Sequence, residues 1–353
     1  MSGTSLDGVD IAVIETDGHK IHGFGETRYR PYSDTEREIL RAALGKWPGE
    51  AGVDEAARIV EDAHIEVLAD LDKVDLIGFH GQTLAHAPEL ARTHQAGSGE
   101  ILADKLGIPV VWDFRTLDMR MGGQGAPLAP FYHWACAMHI GATDPVAFLN
   151  LGGVGNLTWI DPSKGRPDAK GALIAFDTGP ANAPMDDLVF RKLGQRFDKD
   201  GQLAGQGALD QPVLNAFLKR PYFSKMPPKS LDRDAFADLV DLVGVLSVED
   251  AMATLAACAA GSVARGFEHL PQTPAFMLVG GGGRKNPILM EMIAALVDIP
   301  VLPVEEAGFD GDALEAQAFA HLAMRVRMAL PTSAPGTTGV RAAIGSGQVA
   351  EPM

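Results

Sequence analysis

Ser2-Gly3-Thr4-Ser5-Leu6-Asp7-Gly8-Val9-Asp10 opens the chain and runs directly into an apolar stretch, residues 11–14, that predicts a short β-strand. Glycines and hydroxyl groups at the tip of a hairpin can hold phosphate oxygens through backbone N–H and side-chain Oγ donors. A carboxylate beside them can hold Mg²⁺ through a water molecule. A single loop of this kind is more often an ordinary hairpin turn, so its interpretation depends on the motifs in the rest of the chain.

Two further glycine turns come later, each after an apolar strand pattern. Asn150-Leu151-Gly152-Gly153-Val154-Gly155-Asn156 follows a strand predicted over 145–149, and Gly280-Gly281-Gly282-Gly283 follows one predicted over 276–279. Asn286 then caps a helix, and a helix N-terminus behind a glycine turn suits a nucleotide. Each turn alone would be weak evidence, but three in this order predict that the backbone of the chain binds a nucleotide.

Strand and helix patterns alternate along the chain, which is typical of an α/β fold. Polar side chains cluster where predicted strands end, at His80-Gly81-Gln82-Thr83 and at Asp113-Phe114-Arg115. Sheets of this class place their ligands at the carboxyl ends of the strands. The predicted strands in this part of the chain are 74–79 and 109–112, and the predicted helices of the whole chain include 34–43, 53–71, 247–267, 288–297 and 313–328.

The glycine-rich segment 122–127 interrupts this alternation and is interpreted as the crossover between two domains. A chain of 353 residues with 46% hydrophobic residues is long enough for two cores. We therefore predict an N-terminal lobe over 1–125, a C-terminal lobe over 126–335 and a tail over 336–353 that lies on the surface.

Composition limits the partners and the compartment. The formal net charge of −16 disfavours nucleic acid as a partner. No run approaches the roughly 18 apolar residues of a membrane span, and no basic segment precedes an apolar one at the start, so we predict no membrane and a cytoplasmic protein. Cys136 and Cys258 are too few for a disulfide scaffold, which also favours a reducing compartment. The histidines lack matching ligands, so no protein-built metal site is predicted.

Two carboxylates are candidates for catalysis. Asp177, in Phe176-Asp177-Thr178-Gly179-Pro180, ends a predicted apolar strand and precedes a turn. Phosphoryl transfer needs positioning, neutralisation of charge and a carboxylate that takes the proton of the nucleophile. In isolation an Asp here is about as often a turn or capping residue, and the three glycine turns favour catalysis. Glu315, in the apolar last helix, either faces solvent, which is the commoner case, or points into a cleft.

Taken together, these motifs resemble those of the anhydro-N-acetylmuramic acid kinase family, within the actin/hexokinase/Hsp70 ATPase superfamily. The resemblance covers nearly the whole chain, and the combination of MSGTSLDGVD, GGQGAPL and FDTGP is specific to that family. It implies an α/β, two-lobed actin/hexokinase-like (ribonuclease H-like) fold with a nucleotide cleft between the lobes. The matching segments, in order, are 2–10, 80–83, 113–115, 122–128, 150–156, 177–182, 228–230, 280–286 and 312–319.

The resemblance also implies an activity, which uses ATP and Mg²⁺ in peptidoglycan recycling. The enzyme would open 1,6-anhydro-N-acetylmuramic acid with water and phosphorylate O6, giving N-acetylmuramate 6-phosphate and ADP, and it would be a homodimer. By similarity Asp177 is the base, and Glu315 helps to place the water or the sugar. The sugar is expected at His80, Gln82, Thr83 and Arg115. The pairing of Arg115 with the lactyl carboxylate is our own hypothesis, because Arg forms bidentate carboxylate pairs.

The chain departs from the family pattern at two places, and two other functions stay open. Family members carry a short apolar strand before the first motif, whereas here the motif begins at Ser2. Ser98 stands where the family usually has Asp. One alternative is a kinase for another sugar, which would phosphorylate a free hydroxyl. The other is an ATP-switched binding protein without catalysis, which would carry an appended peptide-binding domain.

Overall fold

The computed structural model describes residues 1–3, 5–71 and 74–353. Thr4, one of the predicted phosphate ligands, lies outside the described residues. The chain divides into two compact units: the first comprises Met1–His139 and Ala313–Met353, and the second comprises Ile140–Asp312.

The regular elements are named here in chain order. The strands are β1 (Gly8–Thr16), β2 (Ile21–Pro31), β3 (Ile77–Gly78), β4 (Gln82–Ala87), β5 (Arg92–Ala96), β6 (Val110–Trp112), β7 (Val146–Leu151), β8 (Val154–Ile160), β9 (Leu173–Pro180), β10 (Met277–Gly280), β11 (Val301–Pro303) and β12 (Gln348–Ala350). The helices are α1 (Asp34–Ala43), α2 (Val53–Leu68), α3 (Gly99–Leu106), α4 (Thr116–Arg120), α5 (Pro130–His139), α6 (Asn182–Leu193), α7 (Gln211–Leu218), α8 (Asp238–Leu242), α9 (Val248–Phe267), α10 (Pro287–Val297) and α11 (Leu314–Arg327).

The second unit is built on a sheet with the strand order β11-β10-β7-β8-β9. β10 runs parallel to β7 and β11, whereas β7, β8 and β9 are antiparallel neighbours. Gly280 pairs with Asn150. The carboxyl ends of β7 and β10 therefore meet at one edge of the sheet, and two of the predicted glycine turns lie side by side there.

The long helix α9 forms the centre of the second unit's core. It is apolar on nearly every face and almost wholly buried, as expected for a helix with that composition. Ser247 accepts a hydrogen bond from the backbone of Asp250 and so caps its N-terminus. The helix packs against α6, α7 and α10 and covers β8 and β9.

The first unit combines the β1–β2 hairpin, the β4–β5 hairpin and a sheet with the order β12-β6-β3. Helix α11 packs against β1, β3 and β6. Gly78 in β3 lies so close to this helix that a Cβ atom there would come within 2.2 Å of the carbonyl oxygen of Phe319. Both units thus mix helices with sheets, and the predicted α/β class is confirmed.

The division of the chain differs from the predicted one at both ends of the second unit. The first unit extends to His139 rather than to residue 125, and it takes back the chain from Ala313 onward. The reason is packing, because α11 covers strands of the first unit. The predicted surface tail is also corrected, since β12 pairs antiparallel with β6 and Thr338 and Ser346 are fully buried.

The bounds of a helix agree with the prediction where its capping residues lie close in sequence. The predicted helix over 34–43 is confirmed, with a capping box between Ser33 and Glu36. The strand predicted over 74–79 is only two residues long, Ile77–Gly78. Both cysteines are buried free thiols. Among the helices of the described residues, none is long and apolar enough to cross a membrane.

Candidate active site

The turn between β7 and β8 consists of Gly152 and Gly153 and is sterically open. A Cβ atom on Gly152 would meet nothing nearer than 3.7 Å, so a phosphate group can approach this backbone closely. The turn is anchored by the start of α6. The backbone N–H of Asn182 donates to Gly152 O at 3.0 Å, and that of Ala181 donates to Gly153 O at 2.9 Å. The glycine turn and the segment just after the candidate base are therefore held together.

Asp177 lies inside a strand rather than at its end. The sequence predicts a turn after it, but β9 continues to Pro180. The register shifts here, because Asn156 pairs with Asp177 while Gly155 pairs with Gly179. A bulge of this kind re-aims the side chains beside it and is common next to active sites.

The carboxylate of Asp177 is held at both oxygens. Asn156 donates from Nδ2 to Oδ1 at 2.7 Å, and the backbone N–H of Leu231 donates to Oδ2 at 2.7 Å. The backbone of Asp177 is held as well, since its N–H donates to Lys229 O at 3.0 Å and Tyr222 donates its hydroxyl to the Asp177 carbonyl. Each carboxylate oxygen keeps a further lone pair, so the group is oriented and can still accept a proton.

Burial raises the pKa of Asp177 to about 6, although the hydrogen bonds from Asn156 and Leu231 act in the opposite direction. The ordinary pKa of an aspartate carboxyl is 3.8. A general base is most effective when its pKa lies near the working pH, because it is then both ionised and able to bind a proton. The site thus gives Asp177 the property that its predicted role requires.

Lys229 supports the loop that holds this base. Its Nζ lies 3.1 Å from His269 Nε2, 4.8 Å from the centre of the Tyr222 ring and 5.5 Å from that of Phe176. Burial lowers the pKa of Lys229 to about 8. The sequence motif 228–230 contains this residue, but its position beside β9 could not be predicted from spacing.

The turn after β10 requires glycine at its second position. Gly281 has φ 73°, and a Cβ atom there would lie 2.3 Å from Asn150 Oδ1. Gly282 is exposed, and a Cβ atom there would meet nothing nearer than 3.9 Å. The turn therefore packs tightly against the end of β7 on one side and leaves Gly282 accessible on the other.

Two side chains stabilise this turn. Arg284 donates from one terminal nitrogen to Gly281 O at 2.9 Å and from Nε to Glu305 Oε1 at 2.8 Å. Asn286 accepts a hydrogen bond from the Leu289 backbone at 3.1 Å and caps α10, as predicted. Its side-chain oxygen is therefore engaged by the helix.

The opening hairpin of the first unit divides into buried and exposed positions. Leu6 and Val9 are buried in the core, and Gly8 lies against the backbone of β2, where a Cβ atom would come within 2.5 Å of Arg30 O. Ser5 and Asp7 are exposed, and Ser5 donates from Oγ to Asp7 Oδ1 at 2.6 Å. Of the predicted phosphate ligands here, Leu6, Gly8 and Val9 can offer only their backbones.

Arg115 and His80, both in the first unit, are joined by hydrogen bonds. Arg115 donates from Nε and from a terminal nitrogen to His80 Nε2, at 3.1 and 2.9 Å. His80 Nδ1 lies 2.8 Å from Gly81 O, which makes Nδ1 the protonated nitrogen. Burial and the adjacent guanidinium both hold the pKa of His80 well below its usual range. The second terminal nitrogen of Arg115 donates to Gly125 O at 2.6 Å.

The acceptors that bond directly to the Arg115 guanidinium, His80 Nε2 and Gly125 O, carry no charge. Burial lowers the pKa of Arg115 to about 10, while the nearby carboxylates of Glu315 and Asp118 raise it. It therefore stays positive at neutral pH. A guanidinium has five N–H groups, and the contacts with His80 and Gly125 engage three of them. The remaining two can receive an anion.

The other predicted sugar ligands are placed differently. Gln82 is fully buried and accepts from Ser2 Oγ at 2.5 Å, so its amide connects β4 to the opening hairpin. Thr83 accepts from Gln95 Nε2 at 3.2 Å. Glu315 is exposed in the first turn of α11, where a negative charge is favourable, and it influences Arg115 electrostatically.

A cavity of about 150 Å³ lies beside His80 in the first unit. Its wall combines aromatic and polar side chains, as small-molecule sites do in general. Asp113, at its edge, has φ 51°, a left-handed conformation that is uncommon for residues other than glycine and concentrates at functional sites. The lining residues are Phe79, His80, Thr93, His94, Gln95, Gly97, Trp112, Asp113 and Thr116.

The sequence profile of the anhydro-N-acetylmuramic acid kinase family matches residues 1–351. The chain belongs to this family. The anhydro-N-acetylmuramic acid kinase of Ruegeria sp. (strain TM1040) is 62% identical over 352 residues, which cover 100% of this chain and 94% of the relative. The enzyme of the same name from Cereibacter sphaeroides is also 62% identical, with 100% and 95% covered. This chain is therefore a kinase.

A more distant likeness is to a solved structure. A ROK family glucokinase from Streptomyces griseus, in complex with glucose and AMPPNP, is 14% identical, with a TM-score of 0.44 over 92% of this chain and 98% of that one.

Proposed function

We propose that this member of the anhydro-N-acetylmuramic acid kinase family uses ATP to open 1,6-anhydro-N-acetylmuramic acid with water and to phosphorylate O6. The products are N-acetylmuramate 6-phosphate and ADP, and the reaction belongs to peptidoglycan recycling. One observation carries the catalytic part of the proposal. Asp177 is a half-buried carboxylate that hydrogen bonds hold at both oxygens; its pKa is raised to about 6, and it lies on a segment anchored to an open glycine turn.

The chemistry of the sugar requires such a base. In the anhydro sugar O6 is bonded to C1, so there is no free hydroxyl to phosphorylate. Asp177 takes a proton from a water molecule, and the water oxygen bonds to C1 as the C1–O6 bond breaks. The departing O6 bonds to the γ-phosphorus as the bond to ADP breaks, so no separate acid is needed to protonate it. Asp177 then returns its proton to solvent.

The backbone of the second unit supports nucleotide binding. We assign phosphate oxygens to the N–H groups of Gly152 and Gly153, which are sterically open, and the adenosine to Gly281 and Gly282. Asn156 also belongs to the predicted nucleotide motif, but its amide holds the Asp177 carboxylate. We therefore propose that Asn156 orients the base, and that Gly280 and Asn286 shape the turn and the helix cap on either side of the adenosine.

The opening hairpin supports binding of phosphate and Mg²⁺ in the first unit. Gly3 and Ser5 offer backbone N–H donors. Asp7 is an exposed carboxylate held by Ser5, and hard oxygen ligands of this kind suit Mg²⁺ through water. We assign the metal to Asp7 and to the nucleotide, where it would neutralise phosphate charge.

The lactyl carboxylate of the sugar is assigned to Arg115. A guanidinium that is oriented by His80 and Gly125, with two N–H groups left over, is suited to a bidentate carboxylate contact. His80 then acts through Arg115 rather than on the sugar itself. If this assignment holds, Arg115→Ala raises the KM for the muramic sugar; an unchanged KM would contradict it.

The proposed function is tested by following ADP release with 1,6-anhydro-N-acetylmuramic acid, with N-acetylglucosamine and without sugar. We expect release only with the anhydro sugar, and in H₂¹⁸O the label enters at C1 of the product. A kinase for a free hydroxyl would release ADP without that label. ADP release that is independent of every sugar would instead support an ATP-switched protein.

A further inference from the structure

Asp118 is a fully buried carboxylate that the catalytic proposal does not use. It lies in α4, three residues after Arg115, and its relative exposure is 0%. Oδ1 accepts from the Gly125 backbone N–H at 2.8 Å. Oδ2 accepts from Thr338 Oγ1 at 2.7 Å and from Ser333 Oγ. One loop and the C-terminal segment therefore meet at a single carboxylate.

Gly125 connects this carboxylate to the sugar site. Its N–H is held by Asp118, and its carbonyl accepts from Arg115 at 2.6 Å. The position of Gly125 thus helps to set the direction of the guanidinium, together with His80. Gly125 itself cannot be replaced easily, because its φ is 68° and a Cβ atom would lie 2.7 Å from Met119 Cγ.

The surrounding backbone is shaped to the carboxylate. A Cβ atom on Gly123 would come within 2.1 Å of Asp118 Oδ1, so only glycine fits there. The N–H of Gln124 donates to Thr338 O at 2.8 Å, which fixes the same loop from the C-terminal side. Burying a charge is strongly unfavourable unless it is well hydrogen-bonded. An apolar side chain would fill this space without that cost but could not hold Gly125.

We propose that Asp118 is a positioning residue, which orients Arg115 through Gly125. Residues 333–338 hold Asp118, and so they contribute to the selectivity of the site for a sugar that carries a carboxylate. This inference rests on the proposed function. It goes beyond that function by assigning selectivity to a residue and a segment that do not touch the sugar.

The test compares two sugars that differ only in the lactyl group, 1,6-anhydro-N-acetylmuramic acid and 1,6-anhydro-N-acetylglucosamine. The readout is the ratio of their kcat/KM values. Damage to the fold lowers both values alike and leaves the ratio unchanged, whereas a misdirected guanidinium lowers only the first. The ratio therefore separates positioning from structural support.

Asp118→Ala should lower the ratio about tenfold, since charge-assisted hydrogen bonds contribute on this scale. Asp118→Asn, which keeps the shape and one acceptor, should lower it less and provides the variant to use if the alanine protein does not fold. In an Arg115→Ala background Asp118→Ala should change the ratio no further. Ser346→Ala is the matched control, because Ser346 Oγ accepts from the Asp118 backbone, at 3.3 Å, and does not contact the Asp118 carboxylate; the ratio should stay at its original value.

The outcomes separate the two proposals. If the unaltered chain turns over the muramic sugar but both Asp118 variants keep the original ratio, the inference is overturned and the proposed function stands. A further loss of selectivity from Asp118→Ala in the Arg115→Ala background also overturns it. If the unaltered chain acts on neither sugar, the proposed function fails and the inference fails with it.

Discussion

At Asp177 two opposing effects on one carboxylate produce a useful base. Burial favours the neutral acid, while the hydrogen bonds from Asn156 and Leu231 favour the ion. Burial is the larger effect, so the group titrates near neutrality instead of near its value in water. The same two hydrogen bonds fix the direction of the carboxylate, which matters because a general base must reach the proton that it removes.

Asp177→Asn tests this role directly. The amide has nearly the same shape but cannot accept the proton of water, so kcat should fall by about 10²–10⁴-fold, the usual contribution of a general base. The affinity for ATP, measured by calorimetry, should change little because Gly152 and Gly153 are unaltered. Turnover within a few-fold of the unaltered chain would rule out Asp177 as the base.

The pH dependence gives a second test at the same residue. The ionised form is the active one, and burial raises its pKa to about 6. The value of kcat/KM should therefore be constant above about pH 7 and fall tenfold per pH unit below about 6. An acidic limb near 4, the range of an unperturbed carboxylate, would show that another group controls the rate.

At the scale of elements, the glycine turn after β10 differs from an ordinary loop in how tightly it packs. Gly281→Ala should destabilise the protein in two ways, by placing alanine at φ 73° and by bringing Cβ within 2.3 Å of Asn150 Oδ1. Gly308→Ala is the matched control, since φ is 83° but nothing lies within 4 Å. The control should lose about 1–2 kcal/mol from the left-handed conformation, and Gly281→Ala about 1–3 kcal/mol more from overpacking.

Urea unfolding measures both losses, and ATP titration shows whether the turn is used. Gly281→Ala should also weaken ATP binding, while Gly308→Ala should not. Equal free energies of unfolding for the two variants would mean that the turn after β10 accommodates the extra carbon.

Helix starts could be predicted because their signals are local. Asn286 before a proline acts within one turn of the chain, and the helices predicted over 34–43 and 247–267 begin at caps of the same local kind. The placement of Asp177 was not predictable in the same way. Its strand continues past the expected turn because β8 supplies partners for it, and those partners lie about twenty residues earlier in the chain.

At the scale of the whole molecule, the C-terminal segment belongs to the core of the first unit. A chain truncated after residue 331 loses Ser333 and Thr338, which leaves Asp118 buried with part of its hydrogen bonds missing, and it loses β12. Such a loss costs several kcal/mol, so the melting temperature should fall by several degrees or the protein should fail to fold. Truncation after Glu351 removes only 352–353 and is the control. A melting temperature unchanged by the longer truncation would contradict the structural role of the tail.

We also propose that the chain is a homodimer, and the second unit offers a candidate surface. Phe190 on α6 is 65% exposed and Val245, just after α8, is 90% exposed; an ion pair between Arg191 and Asp241, at 2.6 Å, joins these two regions. Light scattering should give twice the mass of the chain, and Phe190→Ser with Val245→Ser should shift it toward the monomer. A monomer before substitution would refute the dimer.

The cytoplasmic location stays a prediction.

Residue types and their spacing were enough to predict the α/β class, the order of the three glycine turns and Asp177 as a candidate base, and the resemblance of the motifs gave the family. Those features depend on local composition and on contacts within one helical turn. The folded chain was needed to establish that the last helix and tail rejoin the first unit, that His80 and Gly125 hold Arg115, and that Ser333 and Thr338 hold Asp118. These contacts join residues that are far apart in the chain. Burial, which sets the pKa of Asp177, likewise exists only once the chain has folded.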